Sequence, residues 1–136
     1  MNFLKVVGLR FIVFSILFPF LIISCSNSVN IEKLVFNNKC QILFGDKLYS
    51  GKYKKTNPNN YLIIGIVKNG FLTETKEYID EIKLIRLRKF DSCGKGLEEI
   101  YSEDGKLSWK GKFENYKKRI GLWKFYSKDS IYEINY

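Results

Sequence analysis

The side chains that most enzymes use for proton transfer or metal binding are scarce in this sequence. It has no histidine, which is the commonest general base and a common metal ligand. Paired carboxylates occur at Asp80-Glu81, Glu98-Glu99 and Glu103-Asp104, but neighbours along a strand point to opposite faces of a sheet. No Cys-x-x-Cys, Gly-x-Ser-x-Gly or phosphate-binding glycine motif is present. The sequence therefore predicts a protein that is not an enzyme and holds neither metal nor cofactor.

Cysteine supplies the remaining chemistry, at three positions. Cys25 ends an apolar run, which leaves Cys40 and Cys93 as an even pair and a candidate disulfide in an oxidising compartment. A bridge between them would close a loop of about 53 residues and contribute roughly 4 kcal/mol in the chain-entropy model. Two free buried thiols are the alternative, because sequence does not fix the distance between the Cα atoms.

The segment before Cys25 has the layout of an export signal. Lys5 and Arg10 form a basic start, residues 11–23 form an apolar run, and Ser24 is a small residue at the cleavage position. The sequence Leu21-Ile22-Ile23-Ser24-Cys25 resembles the lipobox of bacterial lipoproteins. That resemblance implies cleavage before Cys25, acylation of Cys25, and attachment to membrane lipid on the extracytoplasmic side of the bacterial cell envelope.

The lipobox divides the chain into three parts. We expect a signal peptide at 1–24, a lipidated cysteine with a short tether at 25–30, and one domain at 31–136. An uncleaved transmembrane helix or a plain secretory signal stays open as an alternative. The apolar run contains Pro19 and is shorter than the roughly 20 residues needed to cross a bilayer.

Net charge favours anionic partners. The chain has 23 basic and 14 acidic residues, and removal of Lys5 and Arg10 with the signal lowers its net charge from +9 to +7. Such a surface attracts phospholipid head groups, an anionic envelope polymer or an acidic protein. An envelope location argues against nucleic acid as the partner. A solvated lysine-rich surface without a specific partner is the alternative.

The elements that would carry any binding surface follow from an internal repeat. One column of large apolar residues recurs every 23 positions: Phe44, Val67, Phe90, Phe113 and Tyr136. A second alignment matches Gly96-Leu97 to Gly121-Leu122 with an offset of 25. The change of offset predicts a two-residue insertion in a turn near 115–120, since turns tolerate insertions best.

Within each repeat apolar and polar residues alternate, which indicates half-buried antiparallel strands. Asn69-Gly70 lies between two apolar runs and predicts a type I′ hairpin turn. The predicted strands are 31–36, 40–44, 47–54, 61–67, 71–78, 82–90, 97–102, 106–113, 120–126 and 130–135. The strand at 82–90 also fits a helical stripe, and its match to 106–113 favours strand. The fold class expected is all-β, with successive antiparallel hairpins forming an elongated twisted sheet.

Three segments carry a family resemblance. Residues 101–107, 109–113 and 121–126 resemble the bacterial variant of the MORN repeat, which alternates Gly-aromatic strands with acidic-Gly or Asn-Gly turns. Arg88 and Tyr116 depart from it, because each replaces an expected glycine. The resemblance implies a hairpin-repeat fold and, in bacterial chains so labelled, an antitoxin-like role.

Aromatic and basic residues of the last repeats form the candidate binding face. Its members are Trp109, Trp123, Phe125, Tyr126, Lys110, Lys112 and Lys124. Together they could stack on flat groups and attract anions; alternatively, the aromatic rings are the packing contacts between hairpins. Two functions stay open: a non-catalytic, membrane-anchored scaffold or interaction module, and an antitoxin-like or immunity-like protein that binds a cognate toxin.

Overall fold

The computed structural model describes residues 27–136, and strands make up most of that part of the chain. The prediction of an all-β fold is confirmed. The strands are β1 (Val29–Asn30), β2 (Leu34–Phe36), β3 (Ile42–Phe44), β4 (Lys47–Leu48), β5 (Gly51–Thr56), β6 (Tyr61–Lys68), β7 (Phe71–Ile79), β8 (Lys83–Ser92), β9 (Lys95–Tyr101), β10 (Leu107–Glu114), β11 (Lys118–Tyr126) and β12 (Ile131–Asn135).

Nine of these strands form one open sheet in the order β1-β5-β6-β7-β8-β9-β10-β11-β12. From β5 onward every strand pairs antiparallel with the next strand along the chain, and only β1 pairs in parallel, with β5. The predicted succession of hairpins is therefore confirmed. The segment at 82–90 is a strand, as the repeat predicted, and not a helix.

The Asn69-Gly70 turn has the predicted type I′ character. The φ angles of Asn69 and Gly70 are 49° and 81°, and this turn type needs positive φ at both central residues. The turn joins β6 to β7. It also contacts β3, because Ile42 N donates to Gly70 O at 2.7 Å.

Strands β2, β3 and β4 form that second, three-stranded sheet, which the sequence did not separate from the repeats. Leu34 and Ile42 from this small sheet pack with Tyr53 and Val67 of the large sheet in one buried cluster. The small sheet therefore covers one face of β5 to β7. Burial of its few apolar residues depends on this docking, since a three-stranded sheet of such short strands has no core of its own.

Most predicted strands differ from the structure by only one or two residues at an end, but two predicted segments differ more. The segment predicted as a strand at 31–36 begins with a 3-10 helix at Ile31–Lys33, and the Asn30 side chain caps that helix by accepting from Glu32 N at 3.2 Å. The segment predicted at 47–54 is interrupted between Leu48 and Gly51. Val29 and Asn30, assigned to the tether, form β1.

The two-residue insertion lies in a strand and not in a turn. In the pairing of β10 with β11, Lys112 faces Ile120 but Lys110 faces Lys124, so β11 has two more residues than β10 over the same length. The expectation of an insertion near 115–120 was wrong by a few positions, because a β-bulge at Gly121, with φ of 64°, accommodates the extra residues.

Directly paired residues of neighbouring strands lie on the same face of a sheet. We call one face the front face; one of its cross-strand rows is Tyr53, Gly65, Thr75, Arg88, Glu98 and Gly111. The opposite, back face includes the row Lys54, Ile64, Lys76, Leu87, Glu99, Lys110, Lys124 and Glu133. The small sheet lies on the front face.

Candidate functional site

A pocket of about 270 Å³ lies on the front face beside the small sheet. Its floor is formed by side chains of β7 and β8, among them Thr75, Glu77, Arg86 and Arg88. These residues are neighbours because Thr75 pairs with Arg88 and Glu77 pairs with Arg86. The volume is slightly below the roughly 300–1,000 Å³ of pockets that hold drug-sized ligands, so the pocket fits a small group.

Ion pairs hold the floor together. Arg86 Nη1 donates to Glu77 Oε2 at 2.8 Å, and Arg88 Nη2 lies 2.6 Å from Glu98 Oε1. Arg88 Nε donates to the same oxygen at 2.6 Å. Glu98 is only 5% exposed, and the burial of an ion pair costs less when its hydrogen bonds are satisfied. The floor is therefore a fixed polar surface.

Arg86 keeps unused capacity for hydrogen bonding. Its Nε lies 3.3 Å from Glu98 Oε1, which is close enough for an ion pair. The N–H is not aligned for a hydrogen bond to Glu98, and Nε has no other hydrogen-bond partner among the described residues although it is buried. This N–H is covered by the protein, so it is an unsatisfied donor inside the floor.

Four aromatic rings form the walls: Phe36, Tyr53, Phe90 and Tyr116. The Phe36 and Tyr53 rings meet edge to face with centroids 6.4 Å apart, and the Phe90 and Tyr116 rings lie at 6.0 Å. Each wall therefore has its own supporting contact. Phe36 reaches the pocket from the small sheet, whereas Tyr116 reaches it from the turn between β10 and β11.

Burial raises the pKa of Tyr53 above the usual value of 10.0, and a smaller contribution comes from the nearby Tyr116. The Tyr53 hydroxyl consequently stays protonated over the whole physiological range and can donate a hydrogen bond. The charged and polar groups of the pocket therefore include Lys55, two arginines, one carboxylate and the neutral phenol of Tyr53, which are groups for binding and orientation.

Tyr116 occupies a position where glycine is usual. Asn115 and Tyr116 have φ angles of 50° and 62°, and a bulky residue with positive φ is strained. The strained turn is fixed by a bond from Tyr116 N to Gly94 O at 2.9 Å. Strain of this kind, of order 1–3 kcal/mol, collects at functional sites.

Cys40 and Cys93 form a disulfide, with Cα atoms 5.8 Å apart. Cys40 precedes β3 of the small sheet and Cys93 lies in the turn between β8 and β9, so the bond ties the small sheet to the large one. A smaller cavity of about 160 Å³ at the disulfide is also lined by Phe90 and Tyr116. The covalent link is therefore adjacent to the pocket.

The seven residues predicted to form one binding face lie on both faces of the sheet. Trp109 and Phe125 pair on the front face, with ring centroids 4.6 Å apart. Lys110, Lys124 and the neighbouring Lys112 and Tyr126 lie on the back face. The prediction that all seven residues share one face was wrong, because adjacent residues of one strand alternate between faces.

Trp123 is fully buried, although it belongs to the predicted binding set. Its ring lies over Gly111, where a Cβ would be 2.2 Å from a ring atom, and its Nε1 donates to Lys112 O at 2.8 Å. Trp123 therefore packs between hairpins, which was the alternative to a binding role. A glycine is required at 111 for this contact to form.

The aromatic residues of the front face surround Arg119 and not the predicted lysines. This residue was not identified from the sequence. Its guanidinium lies 4.5 Å from the Trp123 ring centroid, 5.0 Å from that of Trp109 and 5.5 Å from that of Tyr136. Arg119 Nη1 also donates to the Tyr136 hydroxyl at 3.0 Å.

Cys25, the predicted lipidation site, lies outside the described residues. Within residues 27–136, no helix is long and apolar enough to cross a membrane. In that same part of the chain, no group of histidine, cysteine, aspartate or glutamate side chains is arranged to hold a metal ion. Comparisons with protein-family models, curated proteins and solved structures find no match for this chain.

Proposed function

We propose that this chain is a non-catalytic, lipid-anchored protein of the bacterial cell envelope that binds a partner through its hairpin-repeat sheet. In this proposal the back face rests near anionic head groups and the front face carries the binding pocket. The observation that supports it best is the different chemistry of the two faces.

Lysine side chains dominate the charge of the back face. They belong to two neighbouring cross-strand rows and are Lys52, Lys54, Lys76, Lys89, Lys110, Lys112 and Lys124. Lys76, Lys110 and Lys124 pair with glutamates at 2.8 to 3.4 Å. The other four form no ion pair within residues 27–136, so they leave an excess of positive charge on this face.

The tether predicted by the sequence would keep that charge close to lipid. Four residue steps separate Cys25 from Val29 in β1, and a fully extended chain of that length reaches at most ~14 Å. Attraction between lysines and an anionic leaflet is worth about 1 kcal/mol per residue near the surface and decays within a Debye length of about 8–10 Å. A short tether therefore places the sheet where this attraction acts.

Lipidation is tested by replacing the acceptor thiol. In cells fed a palmitate analogue, the wild-type chain should be labelled and processed, whereas Cys25→Ser should remain an unlabelled precursor because serine offers no thiol. Cys40→Ser is the control, since that residue is outside the lipobox. Labelling that persists in Cys25→Ser would exclude the anchor.

Membrane orientation is tested with residues 27–136, which lack the lipid. Vesicles containing anionic lipid should bind this fragment at low ionic strength. Lys89→Gln with Lys112→Gln should weaken the binding about 30-fold, from the loss of about 2 kcal/mol. Lys117→Gln with Lys128→Gln removes the same charge from turns and should have a much smaller effect.

Equal losses for the two double variants would show that net charge, and not the back face, causes the attraction. Equal binding of the wild-type fragment to neutral and anionic vesicles would reject the proposed orientation altogether. Release of the bound fragment at about 0.5 M salt is expected, because the Debye length falls below ~5 Å there.

A further inference from the structure

We propose that the front-face pocket binds a small carboxylate that is carried on a flat apolar group, such as an arylalkanoate. The inference rests on the front face being the binding surface of the module proposed above, and it names the chemistry recognised there. It does not depend on membrane attachment, so the two proposals can fail separately.

The excess of cations at the pocket favours an anion. Its lining includes Lys55, Arg86 and Arg88 but only one carboxylate, that of Glu77. Glu77 is already engaged by Arg86, and the nearby Glu98 is buried beneath both arginines. The acidic charges are thus compensated within the floor, and a ligand meets the outer parts of the cations.

Lys55 is the cation best placed to meet a ligand directly. It is exposed, it pairs with Ile63 on the front face, and it forms no ion pair within the described part of the chain. Arg86 contributes from the floor, with a side chain that is 37% exposed. A ligand carboxylate beside Lys55 or beside the exposed part of Arg86 would gain charge-assisted hydrogen bonds.

The walls favour a flat apolar body next to that carboxylate. Rings stand on two sides of the pocket, Phe36 and Tyr53 on one and Phe90 and Tyr116 on the other. Planar groups gain additional stabilisation from edge-to-face and offset contacts with such rings. A volume of about 270 Å³ is enough for one ring with a short acidic arm.

The repeat itself indicates that the pocket has a role beyond holding the sheet together. Arg88 and Tyr116 are the two positions at which the sequence departs from the glycine pattern of its repeats, and both line this pocket. At the places that correspond to Arg88 in the neighbouring repeats, Gly65 and Gly111 make room for Tyr53 and Trp123. Departures from a local rule that converge in space are typical of functional sites.

The test uses the full chain purified in detergent and three probes that share a phenylethyl group, with binding followed by calorimetry. Phenylpropionate should bind, phenylpropionamide should bind at least about tenfold more weakly because it lacks the charge, and phenethylamine should not bind. Equal affinity for the acid and the amide, or tighter binding of the amine, would overturn the proposal.

Adjacent lysines on opposite faces give a matched pair of variants. Lys55→Glu should weaken binding of phenylpropionate about tenfold, whereas Lys54→Glu changes the net charge equally but faces away from the pocket and should leave affinity within about twofold. Equal effects of both would show that the acid responds to overall charge and would reject the site.

Two wall variants locate the apolar body. Phe36→Ala should abolish measurable binding, with Val35→Ala as its control, because both side chains are about half exposed but only Phe36 lines the pocket. Tyr116→Gly removes the opposite wall and its strained φ together, so it should lose binding without losing thermal stability. Full binding by both wall variants would exclude the pocket.

The same carboxylate chemistry can come from a free acid or from a chain terminus. A short peptide that ends in phenylalanine with a free carboxylate distinguishes these sources. Competition between this peptide and phenylpropionate, lost when the peptide is amidated, would assign the pocket to a protein terminus. Binding of phenylpropionate alone would assign it to a small acid, and failure of both ligands would refute the inference.

Discussion

One end of the front face is covered by the small sheet and the other end is not, yet both ends bury aromatic side chains. Under the cover, Tyr53 is 5% exposed and Val67 is 1% exposed. In the uncovered half, Phe113 and Trp123 reach 1% and 0%, and within residues 27–136 no second layer of strands lies above them. Deep burial in this protein therefore has two different origins.

The covered half relies on a second layer, as sheets in globular proteins usually do. The uncovered half relies on contacts within a single layer: Trp123 lies over Gly111, and Arg119 fills the space among its aromatic neighbours. A single layer shields only some positions, because Trp109 and Phe125 remain half-buried. The candidate pocket lies where the cover ends, which leaves polar floor residues accessible between two sets of rings.

Loss of the disulfide should produce the largest difference in stability between the covered and uncovered halves. Cys40→Ser with Cys93→Ser removes a cross-link across 53 residues, which is worth about 4 kcal/mol of unfolding free energy in the chain-entropy model. Hydrogen exchange should accelerate in β2 to β7 at low denaturant, because the cover detaches there first, while β10 to β12 stay protected. Equal loss of protection in both halves would show that the sheet responds as one unit.

Truncation of the two tryptophans should distinguish buried from half-buried positions within the uncovered half. Trp123→Ala should cost about 3 kcal/mol of unfolding free energy, because it leaves a cavity over Gly111 and an unpartnered Lys112 carbonyl. Trp109→Ala should cost about half as much, since its ring is partly exposed. Denaturant titrations measure both, and a larger loss for Trp109 would contradict the assignment of Trp123 as the centre of the packing.

The repeat predicted the large sheet well because each of its hairpins is formed by local contacts. Alternation gave the strands, and Asn69-Gly70 gave a turn that the structure confirms. The small sheet could not be predicted in the same way, because Leu34 and Ile42 find their partners in β5 and β6 and no local pattern records that docking.

The pocket was missed for a related reason. The sequence marked Arg88 and Tyr116 as departures from the repeat, but it could not show that a turn of one hairpin lies beside a strand of another. Glu98 was dismissed as half of an adjacent acidic pair. Alternation along the strand correctly predicted that the two glutamates point to opposite faces, since Glu98 lies on the front face and Glu99 on the back.

The smallest effect on stability is expected from Glu99. This residue lies on the back face, so it serves as a comparison for both halves of the front face. Hydrogen bonds from Lys110 and then from Tyr101 lower the pKa of Glu99 below its usual 4.5. Burial and the bond to Glu99 raise the pKa of Tyr101 to about 12, so this phenol remains a donor. Because the folded state favours the carboxylate, the stabilisation exists above about pH 4.5 and disappears as pH falls through the lowered pKa.

The pair is partly exposed, with side-chain exposures of 43% for Lys110 and 22% for Glu99, so its contribution should stay below about 1 kcal/mol. Glu99→Gln should therefore lower the melting temperature slightly at pH 7, and its difference from wild type should vanish near pH 3. Glu133→Gln, whose contact with Lys124 is longer at 3.4 Å, should show a smaller difference at pH 7. A Glu99→Gln effect that persists or grows at pH 3 would mean that this residue stabilises the sheet by packing rather than by charge. The back face would then contain a packing contact that stabilises the sheet independently of both halves of the front face.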